Sequence, residues 1–167
     1  MVREIDEYLW CGDDAGYLKE KERWVHVLHC CKEPYHREFV GYSGRSAPEG
    51  KEYLYAYRGD DLALNMVDAD ESRYYRWKMM MEGIAFIEWC VNAEELVLVH
   101  CNQGKSRSCG MVMAYLRYRG DFDGFEYGGA KNIFKVIYPE YEPKAGIESS
   151  YSDTSYTFPA EIVQTQY

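Results

Sequence analysis

Short apolar runs separated by polar stretches are the clearest pattern along this chain. Runs of this kind, apolar and β-branched in part, are typical of buried strands. Candidate strands lie around Tyr8–Trp10, at Trp24–His29, at Leu62–Val67 and at Leu96–Val99. The last run leads directly into Cys101, so the pattern places a thiol at the end of a buried strand.

Helical spacing of apolar residues follows two of these runs. Between Trp77 and Val91 the apolar residues recur every third or fourth position, which predicts an amphipathic helix from about Arg73 to Asn92, with Ser72 as its cap. Three further helices are expected over Ala15–Glu22, Ser106–Arg119 and Phe125–Ile137. Gly120 and Pro139 are suitable stops for the last two.

The alternation of strands and helices predicts the α/β class: a single domain with a central, mostly parallel sheet of about four to five strands flanked by helices. Lys32–Asp61 is polar and rich in Gly and Pro, which predicts a long loop with a hairpin around Glu52–Tyr57. From Glu140 to Tyr167 no periodicity is visible. We therefore expect a domain over residues 1–145 and a C-terminal extension, 146–167, packed on it or extending from it.

Charge and length narrow the range of functions. The 167 residues carry a formal net charge of -9, which disfavours binding to nucleic acid or to an anionic membrane. No apolar run approaches the ~20 residues that span a bilayer. Acidic residues precede the first apolar run, unlike in a secretory signal. We expect a cytoplasmic protein with no membrane or nucleic-acid partner.

The six cysteines are expected to be reduced and mostly buried, because nothing indicates secretion. Cys30 and Cys31 are adjacent and cannot form a CxxC metal site, so we expect no metal and no cofactor. Either could trap an oxidised Cys101 as a reversible disulfide. Burial as ordinary core thiols is the favoured interpretation.

The stretch Val97–Ser108, VLVHCNQGKSRS, raises two interpretations. Its GKS segment resembles the end of a nucleotide-binding loop, but that motif requires Gly where this chain has Val99. The nucleotide loop is therefore excluded. The alternative is a strand, a tight loop and a helix in direct succession, which is a favourable arrangement for binding an anion.

In that arrangement the backbone N–H groups of the loop converge on one point near the positive end of the helix. The expected phosphate-binding residues are Asn102, Gln103, Gly104, Lys105, Ser106 and Arg107. Gly104 permits the loop conformation, and Arg107 offers a planar fork that matches two phosphate oxygens. The same field favours a thiolate at Cys101. A thiolate beneath a bound phosphate can attack phosphorus.

The nine residues His100–Ser108, HCNQGKSRS, resemble the HCxxGxxR[ST] signature of the Cys-based protein tyrosine phosphatases. The SRS ending and the short chain resemble the dual-specificity branch, and the whole combination is similar to small phosphatases of bacteria and bacteriophages. The resemblance extends diffusely from Ile5 to Pro143. It implies that residues 1–145 form a dual-specificity phosphatase-like catalytic domain.

The resemblance also implies roles for individual residues. Cys101 would be the nucleophile, and Arg107 would bind phosphate and stabilise the transition state. Ser108 would donate to the Cys101 sulfur and help it leave. His100 would support the loop without titrating in catalysis.

A leaving alkoxide or phenolate also needs a proton, which a carboxylic acid can supply. Asp68 and Asp70 are the candidates, in a block, LALNMVDADES, that resembles the acid-bearing segment of the family. Asp68 is favoured because it directly follows a predicted strand. Asp70 remains the alternative.

The leading hypothesis is a metal-independent enzyme that hydrolyses phosphotyrosine, and with it phosphoserine or phosphothreonine, on proteins through a cysteinyl-phosphate. Its partner would be a phosphorylated protein or peptide. Two alternatives remain: a phosphate-recognition module without turnover, and a phosphatase acting on RNA 5′ ends or inositol lipids. The net charge of -9 weighs against the RNA and lipid substrates.

Overall fold

One mixed sheet forms the centre of the computed structural model, which describes residues 1–152. Its strands are β1 Val2–Glu4, β2 Leu9–Asp13, β3 His26–His29, β4 Tyr55–Arg58, β5 Asp61–Leu64 and β6 Val97–Cys101. They are ordered β1-β2-β6-β3-β5-β4. The four inner strands run parallel, and the edge strands β1 and β4 pair antiparallel to their neighbours.

In the described part of the chain, six α-helices accompany the sheet: α1 Asp14–Lys19, α2 Arg37–Val40, α3 Trp77–Asn92, α4 Arg107–Arg119, α5 Tyr127–Ile137 and α6 Ala145–Ser152. Short helical turns lie at Lys21–Arg23, Lys32–His36 and Ser72–Tyr74. Among the described helices, none is both long and apolar enough to cross a membrane.

The central strand β6 is buried along its whole length because both faces of the sheet are covered. Alternate side chains enter two different clusters. Val97 and Val99 pack in the main core with α3 and α4, whereas Leu98 packs with Tyr17 and Trp24 on the other face. This two-residue period fixes the register of β6 and hence the position of its last residue, Cys101.

The predicted fold class is confirmed, with differences in detail. Within residues 1–152 the sheet has six strands because Val2–Glu4 pairs with β2 as an extra edge. The predicted strand Leu62–Val67 ends at Leu64. The hairpin expected around Glu52–Tyr57 lies further along the chain, where β4 pairs with β5.

Two helical predictions also differ from the structure. The helix expected from Arg73 begins at Trp77, because Arg76 is extended (φ -62°, ψ 131°) and Ser72 lies in a separate turn that does not cap α3. In the tail, where no periodicity was visible, Ala145–Ser152 forms α6 and buries Ile147 in the main core. The domain division at residue 145 stays a prediction, and residues 153–167 of the predicted extension lie outside the described part of the chain.

Candidate active site

The loop between β6 and α4 turns sharply at Gly104, which has a φ of +67°. A Cβ at this position would lie 3.0 Å from both the backbone N and the Cβ of Asp13. Glycine is therefore required twice, for the left-handed backbone and for the close approach to the end of β2. The two parallel strands β2 and β6 thus hold the loop at the carboxyl edge of the sheet.

The loop contains backbone donors without a partner among the described residues. Within residues 1–152, the N–H groups of Gln103, Gly104, Lys105 and Ser106 donate to no protein acceptor. They directly precede α4, whose 13 residues direct the positive end of a helix dipole toward the same loop. Unpaired amides beside a helix N-terminus are a favourable arrangement for an anion, and the phosphate-binding role of this loop stays a prediction.

Cys101 lies at the base of this loop and is 1% exposed. The Ser108 hydroxyl lies 3.3 Å from the Cys101 sulfur and 3.2 Å from the carbonyl oxygen of Gly12, so it can donate to either. A hydrogen bond to sulfur stabilises the thiolate more than the neutral thiol. The predicted pairing of Ser108 with Cys101 is therefore present in the geometry.

Arg107 is held from three directions and is 7% exposed. Its Nη2 donates to the side-chain oxygen of Asn102 at 2.8 Å, and its Nη1 donates to the carbonyl oxygen of Met66 at 3.4 Å. Its Nε has no hydrogen-bond partner within the described residues and lies 3.7 Å from Oδ1 of Asp68. The guanidinium group of Arg107 is therefore held beside the loop, and its Nε keeps an N–H donor that is unpaired among the described residues.

The structure brings Asp68, not Asp70, next to Arg107. The Asp68 side chain is 26% exposed and forms the ion contact with Arg107. Asp70 is exposed, and among residues 1–152 it forms no ion pair. The two carboxyl groups are separated by Ala69, whose backbone is fixed by Tyr75. Asp68 is therefore the carboxyl group that reaches Arg107, and its role as the proton donor stays a prediction.

His100 lies on the opposite face of the sheet from Cys101. Its Nε2 is 2.6 Å from Nδ1 of His29, and its ring stacks on Tyr17 at 4.6 Å. Burial, together with the neighbouring His29 ring, holds the pKa of His100 well below its usual range. Burial also lowers the pKa of His29, although Asp61 raises it in part. A neutral, packed His100 fits the supporting position predicted for it.

The remaining cysteines are all buried, and one of them contacts the loop directly. All six cysteines of the chain are free thiols. Cys109 donates to the carbonyl oxygen of Gly104 at 2.9 Å, and its sulfur lies 3.8 Å from that of Cys11. Burial raises the pKa of Cys31 to about 12 and raises that of Cys30 well above its usual range. Protonated, buried thiols are poor nucleophiles, so Cys30 and Cys31 are not expected to act as nucleophiles.

Two features of the site were not predicted from the sequence. Asn102 links the loop to the helical turn Lys32–His36. Its Nδ2 donates to the carbonyl oxygen of Glu33 at 2.9 Å, while its Oδ1 accepts from Arg107. Glu142 and Lys144 contact the loop through their backbone N–H groups, which reach Lys105 and Ser106. Backbone contacts leave no pattern in the residue types, so no sequence signal identified them.

Comparison with known proteins agrees with this geometry. Residues 49–124 match the family described as dual specificity phosphatase, catalytic domain. The matched stretch contains the Asp68 segment, α3, β6, the Cys101 loop and α4. The resemblance to the Cys-based protein tyrosine phosphatases, and to their dual-specificity branch, is confirmed. The match supports phosphatase activity and, with it, a phosphorylated substrate. The narrower likeness to bacterial and bacteriophage phosphatases stays a prediction.

Several solved structures share the fold. DUSP15 matches with a TM-score of 0.65 at 20% identity, covering 93% of this chain and 87% of that chain. Human DUSP28 matches with a TM-score of 0.60 at 21% identity, over 90% of this chain and 89% of that chain. PTPMT1 in complex with PI(5)P matches with a TM-score of 0.60 at 20% identity, over 90% and 92%.

Proposed function

We propose that this protein hydrolyses phosphomonoesters on proteins, phosphotyrosine first and phosphoserine or phosphothreonine with it, through a cysteinyl-phosphate and without a metal ion. The observation that carries the proposal is the convergence of three groups on one loop. The Cys101 sulfur and Arg107 stand at the two ends of a loop whose backbone N–H groups at residues 103–106 have no acceptor among the described residues, Ser108 contacts that sulfur, and the Asp68 carboxyl group contacts Arg107. This set supplies a nucleophile, a charge clamp and an acid.

In the first step the Cys101 thiolate attacks phosphorus in line with the ester oxygen. A sulfur–phosphorus bond forms as the phosphorus–oxygen bond breaks, and Asp68 gives its proton to the leaving oxygen. The loop N–H groups and Arg107 stabilise the equatorial oxygens, on which negative charge accumulates.

In the second step a water molecule attacks the phosphoryl group. Asp68, now a carboxylate, accepts the proton of that water, and the sulfur–phosphorus bond breaks to release inorganic phosphate. Ser108 donates to the departing sulfur from 3.3 Å, which stabilises the thiolate that forms. The enzyme returns to its starting state with no redox change.

The alternative functions are less well supported. A recognition module without turnover needs neither a carboxyl group beside the Arg nor a hydroxyl at the sulfur, and this site has a carboxyl group at Arg107 and a hydroxyl at Cys101. A polyanionic substrate such as RNA, or a lipid surface rich in phosphoinositides, would have to approach a chain of net charge -9. A phosphotyrosyl side chain needs only the local positive field of the loop.

The decisive experiment measures hydrolysis of 4-nitrophenyl phosphate in the presence of a metal chelator, comparing the wild type with Cys101→Ser. Cys90→Ser is the matched control, because Cys90 is an equally buried thiol near the start of β6, away from the loop. We expect chelator-resistant activity that only Cys101→Ser abolishes. Acid quenching followed by mass spectrometry should find one phosphoryl group on Cys101. Activity that survives Cys101→Ser would refute the mechanism.

Substrate class is tested with a panel on the same preparation: phosphotyrosyl, phosphoseryl and phosphothreonyl peptides, a 5′-phosphorylated RNA, and phosphatidylinositol 5-phosphate in vesicles. We expect the highest kcat/KM with phosphotyrosyl peptides. A higher value with the lipid or the RNA would overturn the protein-substrate assignment while leaving the cysteinyl-phosphate mechanism intact.

A further inference from the structure

One segment of the chain touches both halves of the active site. We call residues 141–147, which lead from the end of α5 into α6, the connecting segment. On one side it contacts residues 102–106, the loop between β6 and α4, which we call the phosphate loop. The Glu142 N–H donates to the carbonyl oxygen of Lys105 at 2.8 Å, and the Lys144 N–H donates to Oγ of Ser106 at 3.0 Å. Ser106 directly precedes α4, so the segment contacts the loop beside Arg107.

On the other side the connecting segment presses against the loop that carries Asp68. A Cβ at Gly146 would lie 2.5 Å from the carbonyl oxygen of Ala69 and 2.9 Å from the carbonyl carbon of Glu71. Real Cβ atoms do not approach backbone this closely, so only glycine fits without movement. Gly146 therefore sets the distance between α6 and the backbone that immediately follows Asp68.

Tyr75 holds the same backbone through its hydroxyl group. The ring is 1% exposed, and its hydroxyl oxygen lies 3.1 Å from both the N–H and the carbonyl oxygen of Ala69. Its Cε2 would lie 2.7 Å from a Cβ at Gly146. The acid-bearing loop is thus fixed by two contacts on adjacent surfaces, the hydroxyl of Tyr75 and the backbone of Gly146.

The connecting segment is itself anchored to the helix that carries Arg107. Ile147 is fully buried, and its side chain would lie 3.0 Å from a Cβ at Gly110 of α4. Tyr141, at the other end of the segment, is also fully buried. Because α4 begins at Arg107, the anchored segment fixes the Asp68 loop relative to the Arg107 fork.

We propose that Gly146 and Tyr75 are positioning residues for the proton donor: together they hold the Asp68 carboxyl group at the leaving-group side of the phosphate loop. This inference rests on the proposed function, in which Asp68 is the acid. A displacement of about 1 Å at a catalytic group is enough to slow a reaction substantially. A small shift of the Ala69 backbone should therefore weaken proton donation while leaving phosphate binding intact.

The test compares Gly146→Ala with Gly128→Ala, a helical glycine whose added Cβ would meet nothing within 4 Å. The readouts are kcat/KM for phenyl phosphate and for 4-nitrophenyl phosphate, and inhibition by inorganic phosphate. Phenolate is the poorer leaving group and depends on the acid. For Gly146→Ala we expect a loss of roughly 10- to 100-fold on phenyl phosphate and of less than about threefold on 4-nitrophenyl phosphate, with phosphate inhibition unchanged. Gly128→Ala should match the wild type.

A double substitution tests whether the effect passes through Asp68. In the Asp68→Asn background, Gly146→Ala should cause no further loss on phenyl phosphate, because residues that act through one group are not additive. An additional loss of the same size in that background would overturn the proposal. So would equal losses on the two substrates, which would indicate a general structural effect.

If Gly146→Ala does not fold, Tyr75→Phe decides the question, because it removes only the hydroxyl that contacts Ala69. We expect a smaller loss, about 3- to 10-fold, again confined to phenyl phosphate. Unchanged kcat/KM on phenyl phosphate would overturn the proposal. Failure of the proposed function is a separate result: in that case the wild type itself hydrolyses neither aryl phosphate.

Discussion

The hydroxyl of Ser108 lies 3.3 Å from the sulfur of Cys101, seven residues earlier in the chain. The contact spans the whole phosphate loop, since Cys101 ends β6 and Ser108 is the second residue of α4. Both side chains are buried, so water does not compete strongly for the sulfur. This hydroxyl is therefore placed to stabilise the thiolate whenever it forms, including when the cysteinyl-phosphate breaks down.

Ser108→Ala should slow the second chemical step more than the first. The hydrogen bond to a thiolate contributes about 1.5–3 kcal/mol, so we expect kcat to fall roughly 10- to 100-fold. Rapid-quench kinetics with 4-nitrophenyl phosphate should show a burst of product and accumulation of the phosphorylated enzyme. Ser108→Thr keeps a hydroxyl and should retain most of the activity. Loss of kcat without a burst would contradict the assignment.

Asp68→Asn and Asp70→Asn should separate the two acid candidates. The Asp68 carboxylate lies 3.7 Å from Nε of Arg107, whereas Asp70 forms no ion pair within residues 1–152. General acid catalysis contributes about 10²- to 10⁴-fold, so Asp68→Asn should lower kcat/KM on phenyl phosphate by that order. Asp70→Asn should leave kcat/KM on phenyl phosphate unchanged. The reverse pattern would reassign the acid to Asp70.

Asn102 should influence phosphate binding through Arg107. Its Oδ1 accepts from Nη2 of Arg107 at 2.8 Å, although the Asn102 side chain is exposed. Asn102→Ala should weaken inhibition by inorganic phosphate about 3- to 10-fold, because the fork loses a partner that orients it. Asn102→Asp should weaken it further, since a carboxylate repels the phosphate.

Asn132→Ala, at an exposed position of α5, is the control for the Asn102 variants. Inhibition constants for phosphate check the prediction directly. Tighter binding of phosphate by Asn102→Ala than by the wild type would contradict the prediction. It would mean that the Asn102 oxygen competes with phosphate for Arg107 instead of orienting the guanidinium group.

The buried histidine pair predicts a dependence of stability on pH. The pKa values of His29 and His100 are lowered in the folded state, chiefly by burial. The pKa of histidine in an unfolded chain is ~6.5. Above that pH both rings are neutral in the folded and in the unfolded protein, so the pair adds no pH dependence to the free energy of unfolding. As the pH falls below that value, the unfolded chain binds protons that the folded chain does not, so the free energy of unfolding decreases.

Each proton bound only by the unfolded chain lowers that free energy by at most about 1.4 kcal/mol per pH unit. Urea unfolding between pH 7.5 and 5, run on the wild type and on His29→Gln, measures the slope. The variant should be less stable at pH 7.5 and should show a shallower slope below pH ~6.5. Equal slopes of unfolding free energy against pH in the wild type and in His29→Gln would show that the histidine pair does not cause the pH dependence.

Much of this site could be predicted from sequence because the phosphate loop is local. Cys101, Gly104, Arg107 and Ser108 lie within eight residues, and one strand, one turn and one helix determine their relative positions. Hydrophobic runs predicted the inner strands for the same reason, since a strand buried on both faces needs a continuous apolar segment. The edge strand β1, which is only partly buried, left no such pattern.

Contacts between distant segments could not be predicted in this way. Asp68 and Asp70 have the same chemistry in the same polar stretch, and only the fold shows which one approaches Arg107. Gly146 gave no signal either, because its importance depends on the backbone of Ala69, which lies in a different part of the chain. The helix α6 is short and has no clear amphipathic pattern, so only its packing on α4 and on the turn before α3 shows its role.

The sequence by itself therefore determined the α/β class, and it placed Cys101 at the end of a strand and before a tight loop and a helix, because these features depend on neighbours along the chain. The tertiary structure alone decided which carboxyl group joins that loop, and which segment holds it there. Those choices depend on packing between residues that are far apart in sequence. Packing of that kind is set by shape and by backbone contact, neither of which the residue types reveal.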